Sequence, residues 1–151
     1  MRHARSILIN AKPDRVWELI DDDSKLPLWM PSVVSTRYPN GRRQGNPIGT
    51  RFVQEMREGK RVVSYEGEVT EYEPGRTLGI ALWPAPFVVH VIYCISADGV
   101  GSRLDYRAEV TPALWLGWLL LPFGRLFLGR SLDQQLARLK QVAEAAHSQS
   151  V

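Results

Sequence analysis

Cysteine is almost missing from this chain. Cys94 is the only one in 151 residues, which excludes an intrachain disulfide and a multi-thiolate metal site. Histidine is nearly as scarce: His3, His90 and His147 stand far apart, and no H-E-x-x-H or other paired-histidine zinc spacing occurs. No apolar run reaches the roughly 20 residues of a membrane-spanning helix. The start, MRHARSILIN, lacks the apolar core of about 7–15 residues that marks a secretory signal, so a soluble, cytoplasmic protein is expected. Neither sign of charge dominates. Nineteen Lys and Arg against 16 Asp and Glu leave a net charge of +3. The basic clusters at Arg42-Arg43 and from Arg57 to Arg61 are short and interrupted, so no nucleic-acid partner is expected.

What is present is ordinary for a globular chain. An apolar content of 44% and a charged content of 23% exclude a wholly disordered or fibrous protein. The length fits one domain spanning residues 1–151, large enough to bury about 68–70% of its unfolded surface.

Ile7 and Ile9 alternate with Leu8 in a first strand ending at Ile9. Pro13 suits the first position of a helix and Asp14 its first turn, and Val16, Trp17, Leu19 and Ile20 form its apolar stripe up to Asp21-Asp22-Asp23. Ser24 then reads as the cap of a second, shorter helix through Leu28-Trp29-Met30, stopped by Pro31. Strands follow at Val33–Tyr38, Thr50–Glu58, Arg61–Glu73, Thr77–Trp83, Phe87–Ala97 and Ser102–Thr111. The segment between the first two, rich in Gly, Pro and Arg, reads as a mobile surface loop. The later breaks are hairpin-length, so neighbouring strands should pair antiparallel.

Alternation assigns the faces. Leu104, Tyr106, Ala108 and Val110 share a dry face, opposite Arg103, Asp105, Arg107 and Glu109. The same parity places Phe52, Gln54 and Met56 inside, and likewise Val63, Tyr65, Gly67 and Val69; Glu71 has the inward parity near its strand's end. Phe87–Ala97 is apolar on both parities, which predicts cover on both faces or a subunit contact. Leu128, Leu132, Leu136, Leu139, Ala143 and Ala146 then mark an amphipathic helix. It is preceded by twelve uncharged residues, 113–124, and Pro122 with Gly124 predicts a kink or break between the two parts.

This order predicts an α+β fold: a strongly curved antiparallel sheet of about seven strands around one long C-terminal helix, with two short helices after strand one. A curved sheet wrapping a single helix leaves a cavity on its concave side unless bulky side chains fill it. Several motifs, in order, resemble the START-like helix-grip (SRPBCC) superfamily, in its polyketide cyclase/dehydrase and lipid-transport branch. They are Pro13-x-x-Val16-Trp17-x-x-Ile20, Asp23 followed by Trp29-x-Pro31, Gly49-Thr50, Val69-x-Glu71-x-x-Pro74-x-Arg76-x-Leu78, Gly101-Ser102-Arg103-Leu104 and Leu136-x-x-Leu139-Lys140. The likeness runs from about Ala4 to Ala146. These pieces mark packing and turns, so they speak to fold more than to activity.

The resemblance implies a deep, mainly apolar pocket between sheet and long helix that binds a lipid, a polyketide or a similar hydrophobic molecule. By inward parity its candidate residues are Phe52, Gln54, Met56, Tyr65, Val69, Tyr93 and Tyr106, with Trp29, Trp118 and Phe123 at its mouth. Gln54 and the tyrosine hydroxyls are the groups that would orient a guest.

Other motifs carry less. Asp21-Asp22-Asp23 lacks the alternation, Gly and distal Glu of a calcium loop and reads as a solvated helix end. Gly99-x-Gly101 precedes no helix, so it is a turn and not a phosphate loop. Cys94 reads as a small buried apolar residue, and His90 as a satisfied or surface imidazole. The stretch 113–128 admits three roles: a lid over the ligand, a transient contact with a membrane surface, or a homodimer contact. Three functions therefore fit the chain: a carrier or sensor of a hydrophobic molecule, a cyclase/aromatase or dehydratase using the same pocket, and a ligand-free interaction module. Neither a metal nor a nucleotide cofactor is expected for any of them.

Overall fold

The computed structural model describes residues 2–43 and 45–149, and for 120–130 and 146–149 it describes the backbone alone. The chain opens with strand β1 (Arg2–Ile9) and helix α1 (Pro13–Asp21). A single 3-10 turn (Asp23–Lys25) leads directly into the short helix α2 (Leu26–Trp29). Six strands follow: β2 (Val33–Arg37), β3 (Arg51–Glu58), β4 (Arg61–Glu73), β5 (Thr77–Leu82), β6 (Phe87–Asp98) and β7 (Gly101–Pro112). Helix α3 (Trp115–Gln149) closes the chain.

The seven strands form one curved antiparallel sheet in the order β1-β7-β6-β5-β4-β3-β2. Consecutive strands from β2 to β7 are neighbours, joined from β3 onward by turns of two to four residues and between β2 and β3 by the longer segment 38–50; β1 returns to pair with β7, with Ile7 opposite Leu104. The concave side is dry. Phe52, Val69, Leu78, Val91, Tyr93, Leu104 and Tyr106 are buried there, and Leu132, Leu136, Leu139 and Ala143 of α3 complete the core with Val16, Leu19 and Trp29. α3 packs on α1, α2, β1 and β7. Polar ties fix its position: Lys140 donates to the Leu8 carbonyl at 2.8 Å, Arg138 to the Leu28 carbonyl at 3.0 Å, and Glu144 accepts from the Asn10 amide at 2.9 Å.

Local chemistry explains the helix starts. Pro13 occupies the first turn of α1 with Asp14 beside it. Ser24 does not cap α2: it lies inside the 3-10 turn, which Asp22 caps by accepting from the Ser24 amide at 3.0 Å, and α2 starts after Lys25 with no side-chain cap.

Three expectations are corrected. α3 is one helix from Trp115 to Gln149, so the chain does not break at Pro122 and Gly124. β6 is not covered twice: His90 and Cys94 on its convex side are exposed, so Cys94 is a surface thiol. Glu71 does not face inward, since a bulge between Val69 and Glu71 shifts the alternation and pairs Tyr72 with Leu78. Described residues of the β2–β3 segment make contacts to the rest of the fold: Gly49 donates to the Val69 carbonyl at 2.8 Å, and Arg42 pairs with Asp21 at 2.5 Å.

Candidate functional site

The inward rows of β3 to β7 do not close onto the helices. A cavity of about 190 Å³ remains between the concave sheet, the α1–α2 segment and Gln135 of α3. Its sheet wall is built from Phe52, Gln54 and Met56 of β3, Val69 of β4, Leu78, Ile80 and Leu82 of β5, Val89, Val91 and Tyr93 of β6, and Tyr106 of β7. Ile20, Leu26, Trp29 and Met30 form the helical wall.

Two aromatic arrangements shape this space. Trp29 is buried and donates its indole N–H to the Leu19 carbonyl at 2.8 Å, which locks its ring edge-on to Tyr93 at 6.1 Å. Tyr93 in turn meets Tyr106 edge-to-face at 5.1 Å. Among the described residues neither phenol hydroxyl has a hydrogen-bond partner. Burial pushes Tyr106 up to about 12. Burial, with the neighbouring Tyr106, also holds Tyr93 well above the ordinary tyrosine value. Both are therefore neutral donors at physiological pH. Gln54 is buried on β3, across the sheet from the two tyrosines, and reaches the Thr36 hydroxyl only at 3.4 Å.

One side of the wall is polar. Arg42 reaches in from the β2–β3 segment, pairs with the Asp21 carboxylate at 2.5 Å and donates to the Asp21 carbonyl at 3.2 Å. Its guanidinium lies 6.0 Å from the Tyr38 ring and 5.6 Å from the Tyr72 ring. Tyr38 donates to the Asp23 carboxylate, and Tyr72 donates to Asp21 at 3.3 Å. Burial raises the Asp23 pKa, against the opposing effects of the Tyr38 hydrogen bond and Arg42.

Of the residues expected from sequence, Trp29, Phe52, Gln54, Met56, Val69, Tyr93 and Tyr106 meet at the cavity. Tyr65 does not line it. It pairs with Gln54 and so has the inward parity, but its hydroxyl is engaged by Glu58 at the β3–β4 hairpin end. Parity assigns a face; depth along the strand decides what lies across from it. Trp118 is 69% exposed and stands off the wall, and the Phe123 side chain lies outside the described residues. The solvated reading of Asp21-Asp22-Asp23 is overturned for Asp21 and Asp23, which line the cavity. Leu78, Ile80, Leu82, Val89 and Val91 were reachable by extending the alternation across paired strands. Arg42 was not, because a loop has no periodicity to aim a side chain.

The wall offers apolar contact, neutral phenol donors and one half-buried ion pair. No three His, Cys, Asp or Glu side chains gather as a metal site among the described residues, and His90 points away on the convex side.

The comparisons with known proteins agree with this architecture. Ara h 8.0201 superposes with a TM-score of 0.75 at 11% identity, over 96% of this chain and 98% of its own. The Thermus thermophilus protein TTHA0849 gives 0.73 at 19% identity over 97% and 99%. The di-domain ARO/CYC StfQ from the steffimycin biosynthetic pathway gives 0.77 at 13% identity, over 97% of this chain and 51% of StfQ. At these identities the likeness establishes the fold. No curated protein matches the sequence. The family profile described as polyketide cyclase / dehydrase and lipid transport matches residues 2–144, and the chain therefore belongs to that family.

Proposed function

We propose that the protein binds a compact hydrophobic molecule, of one or two rings, between sheet and long helix, as a carrier or sensor. The observation that carries this reading is the pairing of an apolar cavity with two neutral phenols that have no partner among the described residues. Apolar walls supply affinity and a few polar groups supply orientation. A guest with a carbonyl or ether oxygen would accept from Tyr93 and Tyr106. Size sets the upper bound. A dry cavity of about 150 Å³ accommodates benzene, so about 190 Å³ suits a mono- or bicyclic guest and is too small for a tetracyclic one without movement of the walls.

Calorimetric titration with 2-naphthol and with palmitate tests this, alongside native mass spectrometry of protein purified from its own host. Saturable 1:1 binding of the naphthol, with a negative heat-capacity change, is the expected result. Absence of heat with both probes, together with a ligand-free mass, would sink the reading and favour an interaction module.

A second reading, dehydration or cyclisation of a bound polyketide, is favoured by one feature. The Asp23 carboxyl lines the cavity with its pKa raised by burial, and Tyr38 is hydrogen-bonded to it. As the carboxylate it can take the proton alpha to a carbonyl and, once protonated, return it to the β-hydroxyl, so that the C–O bond breaks and water leaves. Turnover of a β-hydroxyketone that disappears in Asp23→Asn would support it; the same rate in both proteins would remove it.

A further inference from the structure

The start of α3 carries an apolar surface that the fold leaves uncovered. Leu114, Trp115, Leu116, Trp118 and Leu119 are 57%, 78%, 41%, 69% and 64% exposed. The cause is the one small residue among them. Gly117 is buried against the sheet rim, so close that a Cβ there would stand 2.7 Å from Pro112 Cβ and 2.9 Å from the Pro86 carbonyl oxygen. With the glycine facing the rim, the large neighbours are turned outward. The Ala113 amide donates to the same Pro86 carbonyl at 2.8 Å, which pins the surface to the β6–β7 end of the sheet. Five large apolar side chains within six positions exceed the scattered single exposures normal for a surface.

The charges around this patch identify what covers it. Residues 110–132 contain no Asp or Glu, and Arg125 and Arg130 are their only charged residues. At about 1.5 Å per helical residue, the two arginines fall roughly 10 and 18 Å beyond Trp118 along the continuous helix. A second copy of this chain would bring four arginines to the join, with no carboxylate in the segment to answer them. An anionic lipid surface answers both the arginines and the apolar side chains, and tryptophan suits the headgroup boundary. The uncharged run, 113–124, is about 18 Å long as a helix, too short to cross a bilayer. Among the described residues no helix is long and apolar enough to span one.

We propose that the N-terminal end of α3 docks on an anionic lipid surface, with Trp115 and its neighbours entering the interface. This goes beyond the cavity-binding reading and needs no guest, so the two succeed or fail separately. The full-length protein is co-sedimented with phosphatidylcholine vesicles with and without about one-third phosphatidylglycerol, and its tryptophan fluorescence is followed with brominated lipid as quencher. The expected result is binding to the anionic vesicles with quenching, several-fold tighter than to phosphatidylcholine alone. The double variant Trp115→Glu, Leu119→Glu, placed on exposed positions and checked for an unchanged circular dichroism spectrum and Tm, should bind about tenfold or more weakly. Three results would overturn the proposal: no sedimentation with anionic vesicles, equal binding by parent and variant, or a parent dimer that the variant dissociates and that ignores vesicles. The last would assign the patch to a second copy.

Discussion

Phe52 and Gly67 face each other across β3 and β4, and the Phe52 ring occupies the space that a side chain at 67 would fill: a Cβ there would stand 2.5 Å from Phe52 Cζ. The ring can lie down on the sheet because its partner has no side chain, and it lines the cavity from there. The same Cβ would stand 2.6 Å from the Ala81 carbonyl oxygen, so substituting Gly67→Ala must displace both the ring and the neighbouring β5 backbone. Overpacking of this kind costs about 1–3 kcal/mol, so thermal denaturation should show a Tm lower by about 2–10 °C. Naphthol affinity should fall in the same variant. An unchanged Tm would mean that both the ring and the β5 backbone can yield without cost.

Tyr93→Phe and Tyr106→Phe separate binding from folding. Neither hydroxyl has a partner among the described residues, so its removal should change folding stability by less than about 1 kcal/mol in urea titrations. Affinity for a guest with an acceptor oxygen should fall about 3- to 10-fold per hydroxyl, while affinity for a hydrocarbon of equal size holds. Loss of several kcal/mol of stability in either variant would show that the hydroxyl serves the fold.

Alkaline pH probes the same tyrosine. Tyr106 titrates at about 12 in the folded protein, against 10.0 for a free tyrosine, and burial is the cause. A phenol whose folded pKa is raised binds its proton more tightly folded than unfolded. Its contribution is fully present below pH 10 and is lost as pH rises from about 10 to about 12, up to about 3 kcal/mol across that window. Tm measured between pH 9 and 12 should fall more steeply in the parent than in Tyr106→Phe. Parallel curves would contradict the raised value.

Arg42→Ala tests the polar side of the wall. Asp21 and Arg42 are each about one-quarter exposed, and removing the guanidinium leaves a half-buried carboxylate without its 2.5 Å partner. A stability loss of about 1–2 kcal/mol is expected in denaturant titrations. If Arg42 closes that side of the cavity, stopped-flow binding of naphthol should quicken in both directions. Unaltered rates would place guest entry elsewhere.

The element order and the dry face were legible in the residues because both depend on local spacing: alternation along a strand, three- and four-residue steps along a helix, and Gly or Pro at the turns. Seven of the ten residues expected at the pocket lie on its wall for that reason. What failed was non-local. Tyr65 has the right face but lies at the wrong depth, and the bulge at Val69/Glu71 reversed the parity beyond it. Asp21, Asp23 and Arg42 meet only because α1 and the β2–β3 segment converge over the concave side. Short-range pattern thus determined which side chains face inward. The folded chain alone decided which of them border empty space, since a void is defined by the atoms on its far side, and those come from distant parts of the sequence.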